Sequence, residues 1–82
     1  MNRETSTPSR ERLATYHRVL VELLEGGSAA ASSVLLARRA EVTPAQVRRD
    51  LACLGHFGKR GYGYDLAYLA ERIQYLLDSH AG

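Results

Sequence analysis

Leu13, Tyr16, His17, Leu20, Leu23 and Leu24 recur at spacings of three and four, a pattern that lays one apolar stripe along an amphipathic helix. Thr7 before Pro8 offers a cap followed by a proline at the first helical position, where its missing N–H costs nothing. Gly26-Gly27 supplies the stop, so a first helix is predicted over residues 8–25. His17 falls on the stripe and reads as a histidine at the edge of the core, because no carboxylate or cysteine pattern accompanies it. Ser28 to Ala31 reads as a connector of small residues. Ser32 or Ser33 then caps a short helix that carries Val34, Leu35, Leu36 and Ala40 and ends near Glu41-Val42.

The tetrapeptide Thr43-Pro44-Ala45-Gln46 predicts a sharp new helix start. Thr43 can accept from the backbone N–H three residues on, Pro44 suits the first turn, and Gln46 can reach back to the Thr43 N–H, which together make a capping box. The helix is expected to run from Pro44 to Leu54, with Gly55 stopping it. Two short helices about three residues apart, the second sharply capped, form a helix-turn-helix pattern. With Val47 inward and ~100° per residue, Leu51 and Leu54 cluster beside it. Ala45, Arg49, Ala52 and Cys53 then point away, with Gln46 and Arg48 on the flanks. Small side chains around an exposed arginine allow close approach to a groove, and a guanidinium fork suits guanine O6/N7 or phosphate. An ordinary solvated helix face is the competing reading.

Glycines at 58, 61 and 63 alternate with Phe57, Tyr62 and Tyr64. Aromatics favour extended backbone and glycines permit tight reversal, so a two-stranded hairpin with Lys59 and Arg60 near its tip is predicted. Asp65 caps a last helix whose Leu66, Leu69, Ala70, Ile73, Leu76 and Leu77 again repeat at three and four, reaching about Ser79. The expected fold is therefore mainly α with a small β-hairpin: a winged helix-turn-helix of three helices, a basic wing and a carboxy-terminal fourth helix. Its expected limits are a polar arm over residues 1–7, the domain over 8–79 and a tail over 80–82.

Composition narrows the function. Eighty-two residues at 45% apolar and 24% charged suit one small domain with a modest core. Surface binding is a better expectation than catalysis, and no enzyme activity is expected. One cysteine excludes an internal disulfide framework and a Cys₄ or Cys₂His₂ zinc site; no metal is expected. No apolar run approaches the ~18 residues of a membrane span, and residues 1–7 lack a signal-peptide core, so a cytoplasmic setting is expected. The net charge is +2, but Val42 to Tyr64 holds Arg48, Arg49, Lys59 and Arg60 against Asp50 alone. The remainder carries seven basic and eight acidic residues. Positive charge concentrated in one segment favours a polyanionic partner.

Several motifs fail on their spacing. Gly61-Tyr62-Gly63 would need a third glycine where Leu66 stands to make a dinucleotide fingerprint. Lys59 is followed by Arg60 rather than the Ser/Thr of a phosphate loop. Gly58-Lys59-Arg60-Gly61 matches the GXXG loop of KH domains, but that loop continues into helix, against Tyr62-Gly63-Tyr64. Cys53, one turn after Arg49, could be an oxidisable thiol, although a small filler at an interface is the plainer reading.

From Pro8 to Leu77 the chain resembles the amino-terminal domain of Rex, the bacterial redox-sensing transcriptional repressor. The segment VTPAQVRRDLACLGHFGKRGYGYDLAYL, residues 42–69, is similar to the family's capped recognition helix, Arg-Arg/Lys-Asp run, Gly-rich wing and final helix. RLATYHRVL, residues 12–20, is similar to its first helix, and Ala31-Ser32-Ser33 to its second-helix start. Leu35 departs from a position that is often acidic in the family, and Cys53 from one often aromatic or polar. A DeoR-type repressor domain also carries an Arg-Arg-Asp-Leu run, but the Gly61-Tyr62-Gly63-Tyr64 wing favours Rex. A winged helix used for protein docking would call for an apolar outer face on the third helix.

The resemblance implies operator recognition on A·T-rich palindromic double-stranded DNA, released through a Rossmann-type domain that binds NADH or NAD⁺ and holds the homodimer together. That domain is not among these 82 residues, so this chain is expected to hold no cofactor, to be a monomer or weak dimer, and to be either an excised domain or a truncated relative. The resemblance further implies Arg48 and Arg49 as a major-groove pair, with Thr43, Pro44, Ala45 and Gln46 near phosphate or base edges. Lys59, Arg60 and Gly61 would sit at the wing tip, with Tyr62 or Tyr64 along its strand. A basic tip suits a narrow A·T-rich minor groove. Asp50 reads as structural, orienting an arginine, because a carboxylate facing phosphates would repel them.

Overall fold

A computed structural model describes residues 8–55 and 63–79 of the chain. The elements in order are α1 (Arg10–Glu25), β1 (Ala30–Ala31), α2 (Ser33–Ala40), α3 (Pro44–Cys53), β2 (Tyr64–Asp65) and α4 (Leu66–Ser79). This is a mainly α, winged helix-turn-helix arrangement. The arm over 1–7, the tail over 80–82 and the expected hairpin tip with Lys59, Arg60, Gly61 and Tyr62 lie outside the described residues.

The helix starts follow from single side chains. Ser9, not Thr7, caps α1: its backbone is extended and its Oγ accepts from Arg12 N–H at 3.1 Å. Pro8 therefore precedes the cap instead of opening the helix, a correction of two residues. A hydroxyl that reaches the third N–H satisfies a donor the helix itself leaves orphaned. Ser32, rather than Ser33, does the same for α2 through Leu35 N–H, and Thr43 does so for α3 through Gln46 N–H, with Pro44 at the first turn. The other half of the expected capping box is not made: the Gln46 side chain is turned toward Asp50, to which its Nε2 donates, and its oxygen does not accept from Thr43 N–H. Asp65 caps α4 by accepting from Tyr68 N–H at 3.0 Å.

The helix ends are equally local. Glu41 closes α2 in the left-handed region at φ 62°, which costs a non-glycine residue roughly 1 kcal/mol. Arg38 and Arg39 in the last turn offset part of that by facing the negative end of the helix dipole. The third helix ends at Cys53 with Leu54 as its cap, one residue short of the expected limit, and Gly55 follows at φ 84°.

The connector before α2 is more than a connector. Ala30 and Ala31 pair antiparallel with Asp65 and Tyr64, respectively. Two alanines carry no strand signature of their own, so the pairing is set from the Tyr64 side. Gly63 makes it possible: it stands at φ 83°, and a Cβ there would lie 2.5 Å from the Ala31 carbonyl oxygen.

The helices bury one continuous core. Leu13, Tyr16, Val19, Leu20 and Leu23 of α1 meet Leu66, Leu69 and Ile73 of α4, with Leu36, Val47, Leu51 and Leu54 closing the other side. Each fully buried aliphatic side chain contributes ~1.5–3 kcal/mol relative to exposure. Arg10 at the start of α1 donates to the Leu77 carbonyl near the end of α4 at 3.2 Å, so the two long helices run antiparallel. His17 and Leu24 are half-buried, as edge positions should be, while Val34 is 53% exposed.

Candidate nucleic-acid interface

Helix α3 is anchored by a narrow apolar edge. Val47, Leu51 and Leu54 are buried, as their helical spacing requires. On the opposite side Ala45, Arg49 and Cys53 are exposed, and Ala52 is half-buried. The predicted outward face is thus present: one arginine surrounded by alanine and cysteine side chains too short to hold a partner away.

The flanks of that face are held in place. On one flank Arg48 is exposed and its Nη1 donates to Ser33 Oγ at the start of α2, at 3.2 Å. That contact restricts a long side chain that would otherwise sample many rotamers. On the other flank Gln46 is half-buried, and its Nε2 donates to Asp50 Oδ1 at 2.8 Å. Thr43 and Ala45 are exposed and Pro44 half-buried at the amino-terminal end of α3.

Asp50 is the buried charge of the molecule's described part, 1% exposed. Its Oδ2 accepts from Tyr16 Oη at 2.5 Å and lies 3.1 Å from Arg12 Nε, and both partners belong to α1. Arg12 Nε–H is not aligned for a hydrogen bond, so that contact is an ion pair held by charge alone. A carboxylate this deep is tolerable only with such partners, because an uncompensated buried charge is strongly destabilising. Burial raises the Tyr16 hydroxyl above its ordinary pKa of 10.0; the hydrogen bond to Asp50 and its negative charge add to the rise, and the Arg12 charge opposes it.

The structural role expected for Asp50 is therefore met, with Arg12 as the arginine it orients. The full network is harder to foresee. Tyr16 sits on the apolar stripe of α1, where its hydroxyl leaves no trace in the pattern. The available signal is angular: Asp50 lies ~60° from the inward Val47 on the α3 wheel, on the buried side.

Cys53 is a free, exposed thiol. Among the described residues no group of histidine, cysteine, aspartate or glutamate side chains could hold a metal ion, and no helix is long and apolar enough to cross a membrane. A shallow depression of about 270 Å³ on α4, lined by Tyr68, Glu71, Arg72 and Tyr75, shares no residue with the α3 face.

Comparison with known proteins places this geometry in context. The family described as "Putative DNA-binding protein N-terminus" matches residues 4–52. The redox-sensing transcriptional repressor Rex of Rhodopirellula baltica is 49% identical over 76 residues, covering 93% of this chain and 32% of that protein. Rex of Deinococcus radiodurans is 53% identical, over 76% of this chain and 26% of that protein. Among solved structures, RSP in complex with β-NAD⁺ and operator DNA matches with a TM-score of 0.75 and 37% identity, across 89% of this chain and 35% of that one. The chain spans about a quarter to a third of the length of these relatives.

Proposed function

We propose that this chain, which belongs to the Rex family as an amino-terminal domain of the DNA-binding type, binds double-stranded DNA by laying α3 in the major groove. The observation that carries the reading is the outer face of α3, with Arg49 exposed among alanines and Arg48 tethered beside it. Arg49 reads base edges through its guanidinium fork. Arg48, already held at Ser33, takes a backbone phosphate. The amino-terminal end of α3, from Thr43 through Ala45, approaches phosphate with its positive dipole end. Gln46, whose amide nitrogen is committed to Asp50, assists that approach through its position rather than through bidentate base reading.

Lys59, Arg60, Gly61 and Tyr62 complete the interface as a wing in the adjoining minor groove. The operator is A·T-rich and palindromic, and the working assembly is a homodimer. The response to NADH and NAD⁺ is assigned to the part of the longer relatives that these 82 residues do not match. The chain's task is recognition and not catalysis, in the cytoplasm. Operator DNA accompanies the matched RSP structure, which supports DNA as the partner.

Fluorescence anisotropy with a labelled duplex tests the reading. Arg49→Ala should cost ~1–3 kcal/mol on the preferred sequence and relax base choice, whereas Lys59→Ala should weaken all sequences evenly. Equal losses from both on every duplex would contradict it.

A further inference from the structure

We infer that Arg12 of α1 is a second tethered phosphate clamp, gripping the DNA strand on the side of α3 opposite to Arg48. The inference rests on the proposed DNA-binding reading and adds a residue that the recognition helix itself does not contain.

The geometry starts from Asp50, whose two oxygens are divided between helices. Oδ1 takes the Gln46 amide of α3, while Oδ2 takes Tyr16 and faces Arg12 Nε of α1. The Arg12 guanidinium is thereby brought to the Gln46 flank of α3. On the α3 wheel Gln46 and Asp50 lie on one side of the inward Val47, and Arg48 lies ~100° to the other. Arg49 stands between these flanks on the outer face. Two guanidinium groups, each fixed by a contact to a different element, therefore bracket the exposed arginine.

Arg12 is not consumed by the carboxylate. Its Nε is buried against Asp50, yet the side chain as a whole is 37% exposed, so the exposure resides in other atoms of the side chain. A guanidinium has five N–H donors, and the pair with Asp50 occupies one edge. The ion pair with Asp50 engages Arg12 through Nε, which leaves the two Nη groups as donors for an outside acceptor. A helix with its side chains is ~10–12 Å across and fills a major groove ~12 Å wide, so its two flanks meet the two phosphate walls. Arg48 serves one wall and Arg12 the other. A phosphodiester oxygen is the ligand chemistry, and fixed orientation reduces the entropy lost on contact.

A purely structural Arg12 would only neutralise Asp50, and the double variant R12Q/D50N separates the two roles because it removes both charges together. Its melting curve first establishes that it folds. Duplex affinity is then measured from low to moderate salt beside the unmodified chain. The clamp predicts that the slope of log K against log salt becomes shallower by about 0.9, the value of one phosphate contact, with a similar loss on all sequences. It also predicts that the Arg12 Nε–Hε resonance of the unmodified chain shifts on duplex addition, a readout that needs no variant. An unchanged slope together with a still Arg12 resonance, while the unmodified chain binds, overturns the clamp and leaves the DNA reading intact. Failure of the unmodified chain to bind duplex at low salt overturns both.

Discussion

Tyr16 on α1 donates a 2.5 Å hydrogen bond from Oη to Oδ2 of Asp50 on α3, across 34 positions of sequence. The bond fixes the helix that carries the exposed arginines to the long helix at the centre of the core. It also turns an acid that would repel a polyanion away from the outer face.

Tyr16→Phe should destabilise the fold by ~1–3 kcal/mol, because Asp50 keeps its burial and loses a donor. In a domain of this size that is a fall in Tm of roughly 4–8 °C per kcal/mol. The variant also carries a pH signature. The folded-state pKa of Tyr16 is raised, so its stabilising contribution is complete below the ordinary value of about 10 and is lost progressively above it. Chemical denaturation should find the gap between Tyr16→Phe and the unmodified chain constant near neutrality and narrowing from pH 10 upward.

Gly63→Ala should be more damaging than Gly27→Ala. Both glycines have positive φ, 83° and 98°, but an added Cβ meets nothing within 4 Å at Gly27 and meets the Ala31 carbonyl at Gly63. The conformational penalty of ~1–2 kcal/mol is shared, while the collision and the loss of β1–β2 pairing fall on Gly63 alone. Thermal melts of the two variants decide the order.

Thr43→Ala should cost about 1 kcal/mol, within the ~0.5–2 kcal/mol of lost amino-terminal caps, through the hydroxyl that accepts from Gln46 N–H. Thr43→Ser should restore most of it. Because the cap sets the start of α3, duplex affinity should fall with Thr43→Ala beyond what Tm alone records.

Cys53 reports on the outer face directly. Its exposure predicts reaction with an alkylating reagent in the folded chain without denaturant. Duplex DNA should slow that reaction, since Cys53 lies on the same face as Arg49. Alkylation at an unchanged rate under saturating duplex would argue against burial of this face.

What the sequence made legible was periodic or local. The apolar stripes of α1 and α4, the cap at Thr43, the stop at Gly55 and the outward Arg49 each follow from spacing or from one side chain acting within three residues. What it hid was non-local. Ala30-Ala31 becomes a strand because Tyr64 and Asp65 supply the partner backbone. Gln46 turns from the capping box toward a buried carboxylate one turn on, to which its Nε2 donates. Ser9 displaces Thr7 as the first cap, a choice between two hydroxyl residues that pattern alone does not resolve. Arg12 joins the α3 flank through an ion pair bridging 38 positions, a contact with no periodic signature.

The most direct test of the α3 face is an amide-shift NMR titration of the chain with a short A·T-rich duplex at low ionic strength, beside a GC-rich control. Resonances from Thr43 to Cys53 should move, with Arg49 among the largest shifts and the A·T-rich duplex acting at lower concentration. If those resonances hold still through the addition of either duplex, α3 does not enter a groove.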